Sequence, residues 1–266
     1  MVTAGVTHAT ATSGWGLPHT RIGSVPVFVG SAEAAVEACI SKLRDRAGGR
    51  VATANLDFLA VARRDAEARR LLETCSLVVA DGAPVAWLAG FQSRQRIDRL
   101  AGVDLVDRLL AFDSRPIRLA MYGGEESVSQ QAAAVLQGRH PHVTVVERIS
   151  PPFRDLTTEE RHRERERIRS SEADLLLVAL GFPRQERLIA DYYDCAPNAL
   201  WLGVGGTFDF LAGRRSRAPG PLQRLGLEWT VRLAQEPSRL WRRYLLRDLP
   251  EAARVTAECL VTRVRS

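Results

Sequence analysis

One stretch constrains the fold of this chain more than any other: residues 175–187, with the sequence LLLVALGFPRQER. Six apolar residues run without a break up to Gly181, and Pro183 follows two positions later. A continuous apolar run bounded by glycine and proline is typical of a parallel strand that is covered on both faces. Proline suits the first turn of a helix, where its missing N–H loses no intrahelical bond. The stretch therefore predicts a buried strand, a turn, and a helix that begins near Pro183.

The rest of the chain shows the same alternation of strands and helices. Further strands are predicted at 25–29, 50–55, 77–80, 117–122, 143–146 and 199–204, with helices between them. Alternation at this spacing indicates βαβ crossovers. The expected fold class is α/β, with a mostly parallel, doubly wound (Rossmann-like) sheet. After Pro219 the pattern becomes all-helical, so we expect a C-terminal helical, Arg-rich appendage.

The predicted domain organisation has three parts. Residues 1–20 are rich in Thr, Ala, Ser and Gly without periodicity, and are expected to be a disordered N-terminus. Residues 21–213 form the α/β core, and residues 214–266 form the basic appendage. The appendage holds 12 arginines against 5 acidic residues, a charge of +7, whereas the whole chain carries +6. The basic character of this chain therefore belongs to its C-terminal part.

Cysteine spacing and apolar run lengths exclude several classes of protein. The cysteines lie far apart and form no C-x-x-C pair, which argues against a disulfide framework or a zinc site and fits a reducing cytosol. No basic region followed by an apolar run is visible at the start, so no signal peptide is expected. No stretch is long and apolar enough to span a bilayer, which takes about 20 residues.

Polar residues lie at or just beyond the ends of four predicted strands. In open α/β sheets, ligands bind outside the carboxyl ends of the strands, beside helix N-termini with free N–H groups. If the strands form one parallel sheet, these residues converge on one edge. Each residue alone is equally explained as a turn or cap residue, but four such positions together favour a binding site. They are Thr53 and Asn55, then Asp81, then Gln185 and Glu186, and finally Asp209.

Two glycine pairs also follow predicted strands. Gly123 and Gly124 precede a helix and would let a phosphate approach backbone N–H groups. The G-x-x-x-x-G-K-[ST] pattern is missing, so a plain βα turn is the alternative. Residues 203–206 (GVGG) resemble a dinucleotide fingerprint but lack its third glycine, and they do not indicate NAD binding.

The appendage carries apolar and basic rows. Trp241, Leu245 and Leu249 recur every fourth residue, as do 225, 229 and 233, while arginines 239, 243 and 247 form another row. A helix with Trp and Leu on one face and Arg on another is typical of an interfacial membrane helix. A helix packed on the core with its arginines in water has the same pattern. The sequence alone leaves both interpretations open.

Eight short blocks, taken together, resemble the WecG/TagA/CpsF family of glycosyltransferases. Their order and spacing make the resemblance specific, and it extends from about residue 25 to 249. The blocks are residues 53–55 (TAN), 80–82 (ADG), 99–104 (RLAGVD), 181–186 (GFPRQE), 203–209 (GVGGTFD), 217–219 (RAP), 226–229 (GLEW) and 242–244 (RRY).

The resemblance implies an inverting glycosyltransferase. Such an enzyme moves a sugar from a UDP-sugar, N-acetylmannosamine or its uronic acid in the best known members, to a polyprenyl-diphosphate-linked sugar. The resemblance also implies that no metal and no cofactor is needed, which agrees with the absence of a D-x-D motif. It implies a cytoplasmic protein, peripheral on the inner face of the cell membrane, that serves cell-surface polysaccharide synthesis and can form a homo-oligomer.

The resemblance also assigns residues. Asp81 is the expected base, with Thr53, Arg99 and Gln185 around the reacting sugar and phosphates. The remaining candidates fall into two groups. Those for substrate or UDP binding are Asn55, Gly82, Asp104, Gly123, Gly124, Gly181, Pro183, Glu186, Gly205 and Asp209. Those for the anionic membrane surface or the acceptor are Arg217, Arg224, Arg232, Arg239, Arg242 and Arg243.

Two kinds of alternative stay open. A UDP-glucose or UDP-uronic acid transferase of the same family would carry the same blocks. From another class, a nucleic-acid-binding α/β protein would use the arginines on phosphates, although this leaves the polar strand ends without a role.

Overall fold

A computed structural model describes residues 11–12, 14–112, 114–219, 222, 228–235 and 237–265; at 11, 12, 229, 232, 239, 243, 244 and 262–265 it describes the backbone alone. The strands are β1 Ala11–Thr12, β2 Pro18–Ile22, β3 Val25–Phe28, β4 Gly49–Ala54, β5 Leu77–Ala80, β6 Ile117–Gly123, β7 Val143–Ile149, β8 Leu175–Ala179 and β9 Leu200–Gly203. The helices are α1 Ala32–Arg44, α2 Leu56–Arg64, α3 Ala66–Glu73, α4 Ala83–Ser93, α5 Gly102–Phe112, α6 Glu126–Arg139, α7 Thr158–Ser171, α8 Arg184–Tyr192, α9 Thr207–Leu211, α10 Glu228–Gln235, α11 Pro237–Arg243 and α12 Leu249–Arg265.

Within the described ranges, strands β4 to β9 form a six-stranded sheet in the order β5-β4-β9-β8-β6-β7. Every neighbouring pair in it is parallel. The register places Thr53 beside Val79 and Ala52 beside Gly203. The prediction of a mostly parallel α/β sheet is therefore confirmed. Because all six strands point the same way, their carboxyl ends lie along one edge.

Apolar clusters cover both faces of this sheet. On one face, α1, α5, α6 and α9 pack against side chains such as Val51 and Leu177. On the other face, α2 to α4 cover Ala52 and Val78, and α7 and α8 cover Trp201. Burial on both sides is the physical reason why the strands are continuous apolar runs rather than alternating ones.

The expectation of disorder up to residue 20 is wrong for the part that the structure describes. Strands β1, β2 and β3 form a small antiparallel sheet, with His19 opposite Phe28 and Ile22 opposite Val25. Gly23 has a φ of 56° in the tight turn between β2 and β3. Ile22 is fully buried against the cluster of α2 to α4, so packing orders a segment whose composition is typical of disorder. Residues 1–10 lie outside the described residues.

The C-terminal helices pack on the core instead of standing apart from it. Helix α12 contacts α2 and α4, and it buries Val255 and Cys259 in the cluster that also covers the sheet. A π-helical turn, Tyr244–Asp248, joins α11 to α12. The boundary at residue 214 stays a prediction. Across the described residues, no helix has the length and apolar character that crossing a membrane requires.

Candidate active site at the carboxyl edge of the sheet

A cavity of about 710 Å³ opens along the carboxyl edge of the sheet. Its walls come from the segments that follow β4, β5, β6, β8 and β9, as a site outside the strand ends requires. The structure thus brings together most of the residues that the sequence singled out. Those that line the cavity are Thr53, Asn55, Asp81, Gly82, Arg99, Gly124, Gly181, Gln185, Gly205 and Asp209.

Four of the residues predicted to bind substrate or UDP do not line this cavity. Asp104 lies in α5, where it pairs with arginines. Gly123 ends β6, and a Cβ atom there would come within 2.5 Å of the Ala179 carbonyl oxygen, so its role is close strand packing. Pro183 precedes the first residue of α8, and Glu186 is buried behind Gln185.

Asp81 lies directly beyond β5. Its backbone N–H donates to the carbonyl oxygen of Ala54 at 2.8 Å, which holds the end of β5 against the end of β4. Gly82 follows as the residue that precedes α4, and a Cβ atom there would be 3.7 Å from Cβ of Asn55. Asp81 is half-buried, so its carboxylate lies at the cavity wall without being sealed from water.

Thr53 and Asn55 fix the end of β4 as well as lining the cavity. The Thr53 hydroxyl donates to the carbonyl oxygen of Gly203 at 2.9 Å, which ties β4 to β9. The Asn55 side-chain oxygen accepts from the Asp57 N–H at 3.0 Å and caps α2. Capping by Asn55 satisfies a backbone donor that the helix itself leaves open.

Gln185 and Glu186 are almost fully buried, at 1% and 4% exposure. The Gln185 Oε1 atom accepts from the N–H of Gly181 at 3.1 Å and from the N–H of Gly205 at 3.0 Å. Its Nε2 donates to Oε1 of Glu186 at 2.8 Å. Burial raises the pKa of the Glu186 carboxyl to about 7, against the opposing effect of hydrogen bonds from Gln185 and from its own backbone N–H.

A charge network surrounds Arg99. Its guanidinium donates to Glu228 of α10 and lies 3.5 Å from a carboxylate oxygen of Asp104. Arg217 binds the same Asp104 with two hydrogen bonds, at 2.5 and 2.8 Å. These bonds raise the pKa of Arg217, and the charges of Glu228 and Asp81 raise it further, although partial burial opposes them. The network therefore joins the predicted appendage to the core beside Asp81.

The match to known proteins identifies the family. Residues 20–265 fit the model of the glycosyl transferase WecG/TagA/CpsF family. The chain belongs to this family of glycosyltransferases. It is also similar to the N-acetylglucosaminyldiphosphoundecaprenol N-acetyl-beta-D-mannosaminyltransferase of Bacillus subtilis (strain 168), with 28% identity over 199 residues that make up 74% of this chain and 75% of that protein.

Several arginines of this glycosyltransferase's C-terminal segment pair with carboxylates of the core. Arg214 binds Glu125, Arg215 lies 3.3 Å from Asp209, and Arg247 binds Asp57. Arg247, one of the row predicted to lie in water or at a membrane, is about one third exposed and pairs with the Asp57 carboxylate on α2. These ion pairs connect three arginines of the C-terminal segment to acidic residues of the core.

The arginines predicted to face the membrane or the acceptor lie in different environments. Arg217 belongs to the network beside Arg99, and Arg242 is exposed with its guanidinium 5.3 Å from the centre of the Trp241 ring. Arg224 lies outside the described residues. For Arg232, Arg239 and Arg243 the structure describes only the backbone. Beside Arg242, large apolar side chains are exposed at Trp241, Leu245, Leu246 and Leu249.

The cavity also includes residues that sequence reasoning did not assign. Glu228 lies within the GLEW block, but nothing local pointed to a partnership with Arg99. Arg184, Arg215 and Phe153 also line the cavity. Arg184 follows Pro183 at the start of α8, and Phe153 follows a pair of prolines. A residue directly after a proline near a strand end was therefore the sequence pattern that could have identified both as cavity residues.

The part of the chain that the structure describes contains no group of three or more His, Cys, Asp and Glu side chains that could hold a metal ion. The charged side chains that line the cavity are both acidic and basic, and they include Asp81, Asp209, Arg99 and Arg215. A carboxylate and guanidinium groups in one cleft can move a proton and stabilise phosphate charge.

Proposed function

We propose that this glycosyltransferase moves N-acetylmannosamine, or a related sugar, from a UDP-sugar to a polyprenyl-diphosphate-linked sugar in cell-surface polysaccharide synthesis. We further propose inversion at the sugar and no need for a metal. The single observation that carries this proposal is that Asp81 and Arg99 line one cavity at the carboxyl edge of a parallel sheet. The name of the similar Bacillus subtilis protein supports the choice of sugar and acceptor.

Asp81 acts as the general base in this proposal. A sugar hydroxyl is a poor nucleophile, so a carboxylate within hydrogen-bond reach takes its proton as the new bond forms. The half-buried position of Asp81 beyond β5, in the wall of the cavity, leaves its carboxylate within reach of an incoming sugar. A single displacement by that hydroxyl inverts the configuration at the reacting carbon.

Arginine side chains stabilise the negative charge that develops on the leaving UDP. Arg99, Arg184 and Arg215 all line the cavity. Arg99 is held from two sides, by Asp104 of the core and by Glu228 of α10. A guanidinium fixed before the reaction needs no reorganisation when the charge appears, and this is the main advantage of a preorganised site.

The lipid-linked acceptor requires a protein that works at a membrane surface. The exposed side chains of Trp241, Leu245, Leu246 and Leu249 support peripheral binding on the inner face of the cell membrane. Replacing Trp241, Leu245 and Leu246 by serine should lower the affinity for anionic liposomes in co-sedimentation by about a thousandfold or more, since each buried apolar side chain is worth about 1.5–3 kcal/mol and about 1.4 kcal/mol is a factor of ten. Phe112→Ser, at another exposed apolar position, is the control. Equal losses in both variants would contradict a specific apolar surface.

The proposed reaction is tested with a panel of UDP-sugars and a short-chain prenyl-diphosphate sugar, with UDP release as the readout. We expect turnover with UDP-N-acetylmannosamine; preference for UDP-glucose or a UDP-uronic acid would change the donor but keep the reaction. Asp81→Asn should lower turnover about 10²- to 10⁴-fold while UDP still binds. Nearly full turnover by this variant would show that Asp81 is not the base.

The nucleic-acid alternative has less support. Arginines 214, 217 and 247 are each engaged by a carboxylate of the same chain, so they are not an open row of cations for a phosphate backbone. Binding of DNA or RNA that weakens steeply with salt, without any turnover of UDP-sugars, would restore this alternative.

A further inference from the structure

A chain of hydrogen bonds connects a buried carboxyl group to two turns of the cavity wall. It runs from Glu186 to the amide of Gln185, and from Gln185 Oε1 to the N–H groups of Gly181 and Gly205. Gly181 follows β8 and Gly205 follows β9, and these two strands are neighbours in the sheet. One side-chain amide therefore bridges two adjacent strand ends.

The space for this bridge exists because β9 ends in a glycine. A Cβ atom on Gly203 would lie 2.6 Å from Nε2 of Gln185 and 2.8 Å from Oε1 of Glu186. Both contacts are closer than a side chain allows. The two buried side chains thus occupy the volume that a larger residue at 203 would fill.

The amide of Gln185 works in only one orientation. Its oxygen accepts from two N–H groups, so a flipped amide would direct N–H donors at N–H donors. Glu186 selects the right orientation, because its Oε1 accepts from Nε2 at 2.8 Å. The second carboxyl oxygen, Oε2, is buried and has no hydrogen-bond partner among the described residues.

From this geometry we infer that Gln185 and Glu186 are a positioning pair and not sugar-binding groups: Glu186 orients the Gln185 amide, and the amide sets the spacing of the Gly181 and Gly205 turns against which the donor diphosphate lies. The identity of the donor rests on the proposed function. Both side chains act through the backbone that they hold: the Gln185 oxygen accepts from the two turns, and the Gln185 amide donates to Glu186, which does not line the cavity.

Reversing the donor and the acceptor of the pair tests this inference. Gln185→Glu alone places two carboxyl groups against each other, and Glu186→Leu removes the acceptor for Nε2. In the double variant Gln185→Glu/Glu186→Gln, the carboxylate at 185 accepts from both glycine N–H groups, and the amide at 186 donates to it. If the direction of these hydrogen bonds matters, the double variant should regain the exchange protection and the UDP affinity that Gln185→Glu loses. If the two side chains only fill space, the double variant should regain neither.

Amide hydrogen exchange of the Gly181 and Gly205 turns measures the bridge directly, without any substrate. We expect about tenfold faster exchange in both single variants and protection close to that of the unchanged protein in the double variant. UDP affinity, measured by calorimetry on folded protein, should fall about tenfold in the single variants and recover in the double variant.

Each result has a definite meaning. Exchange that stays slow in Gln185→Glu, or that does not recover in the double variant, overturns the bridge. Faster exchange with unchanged UDP affinity overturns the positioning of the donor. If the unchanged protein binds no UDP at all, the proposed donor is wrong, yet the exchange data still decide whether Glu186 orients Gln185.

Discussion

The buried carboxyl group of Glu186 should make the stability of the fold depend on pH. Burial raises its pKa from an ordinary 4.5 to about 7. The folded protein therefore holds a proton that the unfolded chain releases above pH 4.5, so stability is full below that pH and falls until the folded group ionises near pH 7. A shift of this size corresponds to about 3 kcal/mol, at 1.36 kcal/mol per pKa unit.

Replacing Glu186 by glutamine removes this titration and keeps the acceptor for Gln185. The measured quantity is the melting temperature of Glu186→Gln minus that of the unchanged protein. We expect this difference to increase by roughly 6–12 °C from pH 4.5 to pH 8, given about 2–4 °C per kcal/mol for a chain of this length. Differential scanning fluorimetry over that pH range measures the difference, in which other titrating groups cancel.

A glutamate on the protein surface provides the control for this pH dependence. Glu37→Gln makes the same substitution at an exposed position of α1 and is the control, measured over the same pH range. A pH-independent difference for Glu186→Gln would refute the reasoning, because it would mean that Glu186 titrates alike in the folded and unfolded states.

Two other perturbations follow from the contacts. Tyr122→Phe removes a hydroxyl that donates to the buried Glu164 at 2.6 Å, and it should cost about 2 kcal/mol in urea unfolding without lowering turnover. Arg217→Ala removes both hydrogen bonds to Asp104 beside the site, and it should lower kcat/KM for the UDP-sugar about tenfold.

Both perturbations have matched controls. Tyr192 donates to the same Glu164 oxygen over the longer distance of 3.2 Å, so Tyr192→Phe should destabilise less than the Tyr122 variant. Arg214 pairs with Glu125 in an exposed position, and Arg214→Ala should leave kcat/KM nearly unchanged. A larger effect in either control than in its partner would contradict these assignments.

Local patterns in the sequence predicted much of the core and of the site. The apolar run of β8 and the glycine that ends it identified a parallel strand, because a strand buried on both faces requires such a run. The positions of Asp81 and Asn55 directly after strands then fixed their edge of the sheet. Any parallel arrangement puts such positions on one edge whatever the strand order, and the adjacency of β5 and β4 brings these two close together.

Local patterns failed where a competing local signal was present. The sequence also predicts one helix that Asp57 caps and that runs to about Thr74, but in the structure Asn55 caps α2, and Asp65 ends it and caps α3. Asn and Asp bind nearby backbone N–H groups equally well, so spacing alone does not choose between them. In the same way, the composition before residue 20 concealed β2, whose order comes from pairing with β3.

Tertiary structure alone decided the partners of the charged groups. The two residues of the Arg99–Glu228 pair are 129 positions apart in the sequence. The two turns that donate to Gln185 follow different strands. Nothing local distinguishes the buried Glu164 from the exposed acids of α7. Apolar periodicity and turn chemistry are properties of neighbouring residues and can be read along the chain, whereas burial and ion pairing depend on which surfaces meet once the sheet is covered on both faces.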